Sequence, residues 1–337
     1  MSKTKDNQDK DVGHYKRYLV TTTLGKCLSS FKRIGLKIPE KAVIQEIERE
    51  LIHLLNENFS GDPVTVEVID FEDMCDEVVA IASKVKKAHP DAIIVSTAPL
   101  IAYEADGVCI HLNRIISFQG EIIGIGPRPG HPSVERQLRA VRNKPVIIIE
   151  DGSFTGRSLK FLLDRFSNNN IITIVLGIIF PEAKRSLEKV YDKDLFCCTS
   201  RSEESLLDWV PTHDFLPFVP NCGRIVGTHM GKSCFPFYLY DHASICMPYI
   251  LPYGKPKEWA SLRGERDEVG AFSSACINLS RRIFSEMECA NGKELLVRDI
   301  IHSNPATSVP VSIGQNDFSD GSERVIDILT EDLKFLS

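Results

Sequence analysis

The chain has 337 residues, 43% of them hydrophobic, which is enough to bury one large core or two modest ones. A formal net charge of -6 and a pI near 5.9 argue against generic binding to nucleic acid through a basic surface, so no nucleic-acid signal stands out. No run approaches the roughly 18 apolar residues of a membrane span, and Met1 to Lys10 is polar without an apolar segment, so no membrane association and a cytoplasmic location are expected.

Ten cysteines are scattered without a Cys-x-x-Cys pair, and several fall within apolar periodic segments, as reduced buried thiols do. A zinc site from Cys222, Cys234, His229 and His242 has no recognised ligand spacing.

In chain order, residues 1–13 read as a disordered leader. Ile44, Ile47, Leu51, Leu54 and Leu55 share one face of an amphipathic helix. Residues 63–70 alternate as a strand, with Val64, Val66 and Val68 on one side, and Met74, Val78, Ile81 and Val85 mark a second helix. Residues 92–95 form a buried strand that runs into the small-residue stretch Ser96, Thr97, Ala98, Pro99. Residues 107–118 and 121–125 read as paired strands. Three prolines and two glycines in residues 126–132 then mark an irregular loop that carries Arg128 and His131. Arg136, Arg139, Arg142 and Lys144 follow on a helix, as a solvated basic face.

Residues 146–159, VIIIEDGSFTGRSL, organise the chain. Four aliphatic residues, all of them β-branched, predict a strand buried on both faces that stops at Glu150 and Asp151. Gly152 and Gly156 allow close backbone approach, and Thr155 and Ser158 place hydroxyls beside the free amides of a new helix. That end suits a phosphate. The two acids would repel phosphate and suit neutral hydroxyl donors or a hydrated divalent ion. A ribose 5-phosphate meets both demands.

Beyond it, residues 171–179 predict a second buried strand, followed by a helix over 181–191 and a strand over 195–199. Residues 207–215 carry Trp209, Asp214 and Phe215. Residues 227–233 approach a Walker A loop but have one residue too few between their glycines and no helix after them. Residues 267–288 predict a long helix, 295–300 a short strand, 303–321 a Pro/Ser/Gly-rich connector, and Val325, Ile328, Leu329 and Leu333 a terminal helix.

The run of four hydrophobic residues, two acids and a turn ending in Thr-Gly-x-Ser resembles the phosphoribosyl-diphosphate (PRPP) loop of type I phosphoribosyltransferases. The resemblance implies an α/β fold: a central parallel sheet flanked by helices, with a hood built from the N- and C-terminal segments. It divides the chain into a leader (1–13), an N-terminal helix-strand-helix segment (14–90), a phosphoribosyltransferase-like core (91–234) and a C-terminal extension (235–337). Glu150 and Asp151 would hold the ribose hydroxyls, with Gly152, Ser153, Phe154, Thr155, Gly156, Arg157 and Ser158 around the 5-phosphate. Ser96, Thr97 and Ala98 would form the pyrophosphate loop, and residues 119–135, with Arg128 and His131, a closing lid. Trp209 and Phe215 would stack on a base, and Asp214 would help to hold Mg2+.

The implied activity is Mg2+-dependent phosphoribosyl transfer from PRPP to a nitrogenous base. Two departures bear on it. Hypoxanthine-guanine enzymes carry Asp where this chain has Phe154, which cannot move a proton, and Gly152 replaces an aliphatic residue. A non-catalytic PRPP or ribonucleotide sensor and a hydrolase on the same fold therefore stay open, as do three roles for residues 235–337: completing the hood, a homodimer contact, or docking a partner protein.

Overall fold

A computed structural model describes residues 16–117, 121–128, 131–166, 170–192, 196–202, 206–227, 244–300 and 321–337. The predicted leader, most of the 303–321 connector, the Walker-like residues 228–233, and Cys234, His229 and His242 lie outside them.

The first half runs β1 (Lys16–Thr22), α1 (Leu24–Ser29), α2 (Lys41–Asn58), β2 (Val64–Asp70), α3 (Phe71–Ala88), β3 (Ile93–Ser96), α4 (Pro99–Glu104), β4 (Val108–Cys109), β5 (Leu112–Ile116), β6 (Ile122–Pro127), α5 (Val134–Leu138) and β7 (Val146–Ser153). The second half runs α6 (Arg157–Leu163), β8 (Ile171–Ile179), α7 (Pro181–Glu188), β9 (Phe196–Ser202), β10 (Leu206–Pro211), β11 (Arg224–Gly227), β12 (Ser244–Met247), α8 (Pro256–Ala260), α9 (Arg266–Asn291), α10 (Val297–Ile300) and α11 (Val325–Leu336).

The protein is α/β, with parallel strands flanked by helices, and its described strands form three sheets. The largest has the order β4-β3-β7-β8-β9 and is parallel throughout. Its centre is the isoleucine run. Val146 and Ile148 enter one core with α6, while Ile147 and Ile149 enter another with α3, so β7 is dry on both faces. This is why its sequence shows no alternation. The strand also continues where the sequence predicts a stop: Glu150 pairs with Leu176, Gly152 with Ile178 and Ser153 with Ile179. Both acids therefore belong to the sheet itself.

β1 joins β10 on one side and β2 on the other, all parallel. Tyr18 and Val20 face a large core, and Leu19 faces the core of α3. β2 lies at the edge: Val64 and Val66 of the predicted stripe pack against the large core, Val68 is 45% exposed, and Ile69, on the opposite face, packs into the core of α3. The third sheet, β12-β11-β5-β6, is mixed. Of the predicted pairing over 107–125, β5 and β6 form an antiparallel ladder, whereas Val108 and Cys109 pair with β3 in the large sheet.

Local signals account for the helix boundaries. Asp70 caps α3 by accepting the amides of Glu72 and Asp73 at 2.8 and 3.2 Å. Glu265 and Glu268 form a capping box at the start of α9, and Gly292, with φ 65°, ends it. The predicted strand at 295–300 is instead an isolated bridge from Leu296 to Arg324 followed by helical α10, a short apolar run being compatible with either period. Residues 16–59 and the C-terminal elements share one core that includes Ile47, Leu51, Phe284, Met287 and Leu329. Among the described residues, no helix is long and apolar enough to cross a membrane.

Leu329 on α11 is fully buried in this core. Replacing it with Ala is expected to cost about 3 kcal/mol and to lower the melting temperature of the whole domain in one transition. A separate early transition would show that the C-terminal helices fold independently of residues 16–59.

Candidate functional site

The carboxyl ends of β3 and β7 open into a cavity of about 570 Å³, within the ordinary range for small-ligand sites. Glu150, Asp151 and every residue from Gly152 to Ser158 line it, as do Thr97, Ala98, Arg128, Trp209 and Asp214. Residues taken from separate parts of the sequence thus converge on one space. Ser96, His131 and Phe215 are not in its wall.

Glu150 is only 5% exposed. Its Oε1 accepts the Thr97 amide at 2.6 Å, tying the end of β7 to the loop after β3. Burial, and secondarily the neighbouring Asp151, push its pKa up to about 8. Burial also raises Asp151, whose Oδ1 accepts the Gly152 amide at 2.7 Å. Arg128 opposes both shifts without forming an ion pair with either acid within 4 Å. The upward shift favours the protonated form of Glu150, which can accept from Thr97 and still carry a proton to donate.

The turn after β7 is shaped by backbone requirements. Gly156 adopts φ 76°, a left-handed conformation that starts α6, and a Cβ there would press on Leu187. Gly152 is required for another reason: a Cβ would sit 2.6 Å from the Trp209 ring. The small residue in the motif thus makes room for a tryptophan brought in by a different sheet. Trp209 donates from Nε1 to Thr21 Oγ1 at 2.5 Å, and it is joined through Phe180 to Phe154, with ring centroids 5.7 and 4.9 Å apart. Phe154, 38% exposed, and Trp209 give the cavity an aromatic wall.

Three predicted roles meet different geometry. Phe215 is fully buried, edge-on to Tyr249 and Phe272, and serves the core rather than a base. Ser96 is buried and its hydroxyl is turned back on the Ala98 amide at 3.0 Å, so the loop offers the cavity only Thr97 and Ala98. His131 stacks on His111 with centroids 3.7 Å apart, and its amide donates to the Arg128 carbonyl, while the Arg128 amide donates to His111. Arg128 is thereby set in the wall, its buried Nε without an acceptor among the described residues.

Asp214 lines the cavity, but its Oδ1 accepts the Gly223 amide at 2.7 Å and lies 3.4 Å from His213 Nε2. The turn that carries it is pinned from below: Glu48 accepts from Thr212 Oγ1 at 2.7 Å and from the Leu24 amide at 2.9 Å, and Thr23 Oγ1 meets His213 Nδ1 at 2.7 Å. Burial lowers the His213 pKa and raises that of Glu48, so this network favours neutral groups. Among the described residues no three His, Cys, Asp or Glu side chains converge as a metal site. A divalent ion here would take most of its oxygens from a bound ligand and water, the habit of Mg2+ at phosphate sites.

Sequence reasoning missed Arg114, Asp208, Arg224 and Tyr249, which also line the cavity. They arrive from β5, β10, β11 and the segment after β12, and only strand pairing brings them together. Comparison with protein-family models, curated proteins and solved structures returns no match.

The raised Glu150 pKa makes stability pH-dependent. The folded chain holds this proton more tightly than the unfolded chain, whose value is near 4.5. Its contribution is therefore greatest below about 4.5 and is lost as pH rises towards about 8. Glu150→Gln keeps an acceptor for Thr97 and removes the titration. It is expected to match the parent near pH 5 and to exceed it by a few kcal/mol above pH 8, as read by chemical denaturation across that range. Parallel pH profiles for the two proteins would refute the assignment.

Proposed function

We propose that this chain binds PRPP and transfers its phosphoribosyl group to a nitrogenous acceptor. The observation that carries the reading is the opening of the acid pair, Glu150 buried and Asp151 partly buried, and the Phe154–Ser158 turn onto one cavity, which suits a diol beside a phosphate. The parallel order β4-β3-β7-β8-β9, with the site at the carboxyl strand ends, is compatible with a phosphoribosyltransferase-like fold.

Under this reading Glu150 and Asp151 hold the ribose hydroxyls. The Gly156 turn, with Thr155 and Ser158, surrounds the 5-phosphate, and Arg128 faces the diphosphate with Thr97 and Ala98. Phe154 and Trp209 offer ring faces to the acceptor. In the reaction an acceptor ring nitrogen bonds to the anomeric carbon as that carbon's bond to diphosphate oxygen breaks. Diphosphate leaves with the electron pair, and the proton lost by the acceptor goes to solvent. Charge at the anomeric carbon is oxocarbenium-like, so a fixed ribose and exclusion of water are the protein's main contributions. Mg2+, held by the diphosphate with few protein oxygens, would neutralise charge on the leaving group.

One contact favours a second reading, binding without transfer. The Thr97 amide, a natural donor to diphosphate, is already given to Glu150. A sensor needs the ribose phosphate site and has less need of that donor.

Calorimetric titration with PRPP, with and without Mg2+, followed by pyrophosphate release over a nucleobase panel, separates the readings. Micromolar Mg2+-dependent binding with base-dependent release supports transfer, and binding without release supports a sensor. Asp151→Asn is expected to weaken PRPP binding at least tenfold, the loss of one charge-assisted bond or more, with the melting temperature maintained. Unchanged affinity in that variant would sink the assignment of the acid pair to ribose.

A further inference from the structure

Arg114 and Arg224 stand next to each other on the third sheet. β5 and β11 are parallel with Ile115 opposite Ile225, which puts the preceding residues, Arg114 and Arg224, side by side on the same face. The isoleucines pack with Cys246 on one side of the sheet, and the two arginines enter the cavity on the other. Like charges side by side across a ladder repel. Here the repulsion is aggravated by burial, which lowers the Arg114 pKa, with Arg224 the next cause.

Asp208 offsets it only in part, without a close ion pair. Among the described residues neither guanidinium lies within 4 Å of an acidic oxygen. Asp208, the nearest acid by its electrostatic effect, is occupied by the Ser261 hydroxyl at 2.8 Å and the Trp209 amide at 2.9 Å. Arg224 gives one nitrogen to the Trp259 carbonyl at 2.8 Å and stacks 5.4 Å from the Tyr249 ring, but its buried Nε has no acceptor among the described residues. The Arg114 guanidinium donates to no protein group among the described residues. Two partly buried forks converge on the same space, with donors still to be satisfied.

We infer that Arg114 and Arg224 form a second anion site, which holds a carboxylate or phosphate group on the ligand that meets the phosphoribosyl end. Arginine forks suit such planar or tetrahedral oxyanions, and a bidentate contact would both cancel the repulsion and satisfy the orphan Nε. The site is distinct from the acid end, where Arg128 is the cation acting on Glu150 and Asp151. The inference rests on the PRPP reading only for the identity of the other substrate.

The test uses the full chain and matched ligands: orotate against uracil, nicotinate against nicotinamide, and AMP against adenosine, each titrated with and without PRPP and Mg2+. At least one anionic member is expected to bind ten- to hundredfold tighter than its neutral partner, the range for one or two charge-assisted bonds. Preference confined to AMP identifies the group as phosphate, and preference for orotate or nicotinate identifies it as carboxylate. Arg224→Gln and Arg114→Gln should each erase that preference while the PRPP affinity stays within about threefold. Arg224→Lys, which retains charge but not the fork, should restore part of it and guards against a merely structural loss. Equal binding of charged and neutral partners overturns the inference, as does a matching fall in PRPP affinity in the arginine variants. Arginine-dependent anion binding without any PRPP binding would uphold the site and reject the PRPP reading.

Discussion

Two carboxylic acids held side by side at the end of a dry central strand are the constraint to which the rest of the structure answers. Glu150 and Asp151 follow four fully buried aliphatic residues, and Glu150 is still paired in the ladder. A charge there is costly unless it is neutralised or hydrogen-bonded. The fold meets that cost partly by a proton on Glu150, partly with the amides of Thr97 and Gly152, and partly through the field of Arg128. The remaining hydrogen-bonding capacity of the pair faces the cavity. An arrangement concerned with stability alone would more simply place apolar groups there, so the acids are better explained by a ligand than by the fold.

The neighbours of the pair fit the same constraint. β8 crosses beside Asp151 with Gly177, where a Cβ would sit 2.6 Å from the Asp151 carbonyl oxygen. Trp209 lies over Gly152 although it belongs to a strand of another sheet. The cavity is therefore assembled from all three sheets: β3 and β7 supply the acid end, β10 the tryptophan, and β5 and β11 the arginines. The core shared by residues 16–59 and the C-terminal helices sits behind β1 and β10, so it supports the tryptophan wall indirectly.

What the sequence made legible was local. The β-branched runs at β3, β7 and β8 and the helical stripes of α2, α3, α9 and α11 are visible because each is decided by its own residues and their period. The motif residues Glu150 to Ser158 could be gathered into one cavity for the same reason. Pairing partners are not local. Nothing in residues 206–211 announces that β10 leaves the large sheet to lie against β1, and nothing in Arg114 or Arg224 taken singly announces a pair. Phe215 and Trp209 look alike as candidate stackers; only the surrounding Tyr249 and Phe272 show that one is core. Leu295 to Ile300 is too short for its period to decide between strand and helix.

The distribution of charge along the cavity limits what can fill it. Neutral or cationic groups suit the acid end, and anionic groups suit the Arg128, Arg157 and Arg114–Arg224 positions, all in the same wall. A small neutral ligand would leave the arginines unsatisfied, and a simple anion would meet the acids. A ligand, or two adjoining ligands, with hydroxyls flanked by separated anionic groups meets every part of the wall at once. Under the proposed reading, that condition favours a phosphorylated sugar joined to a charged partner over a neutral base alone, whichever bond is made or broken between them.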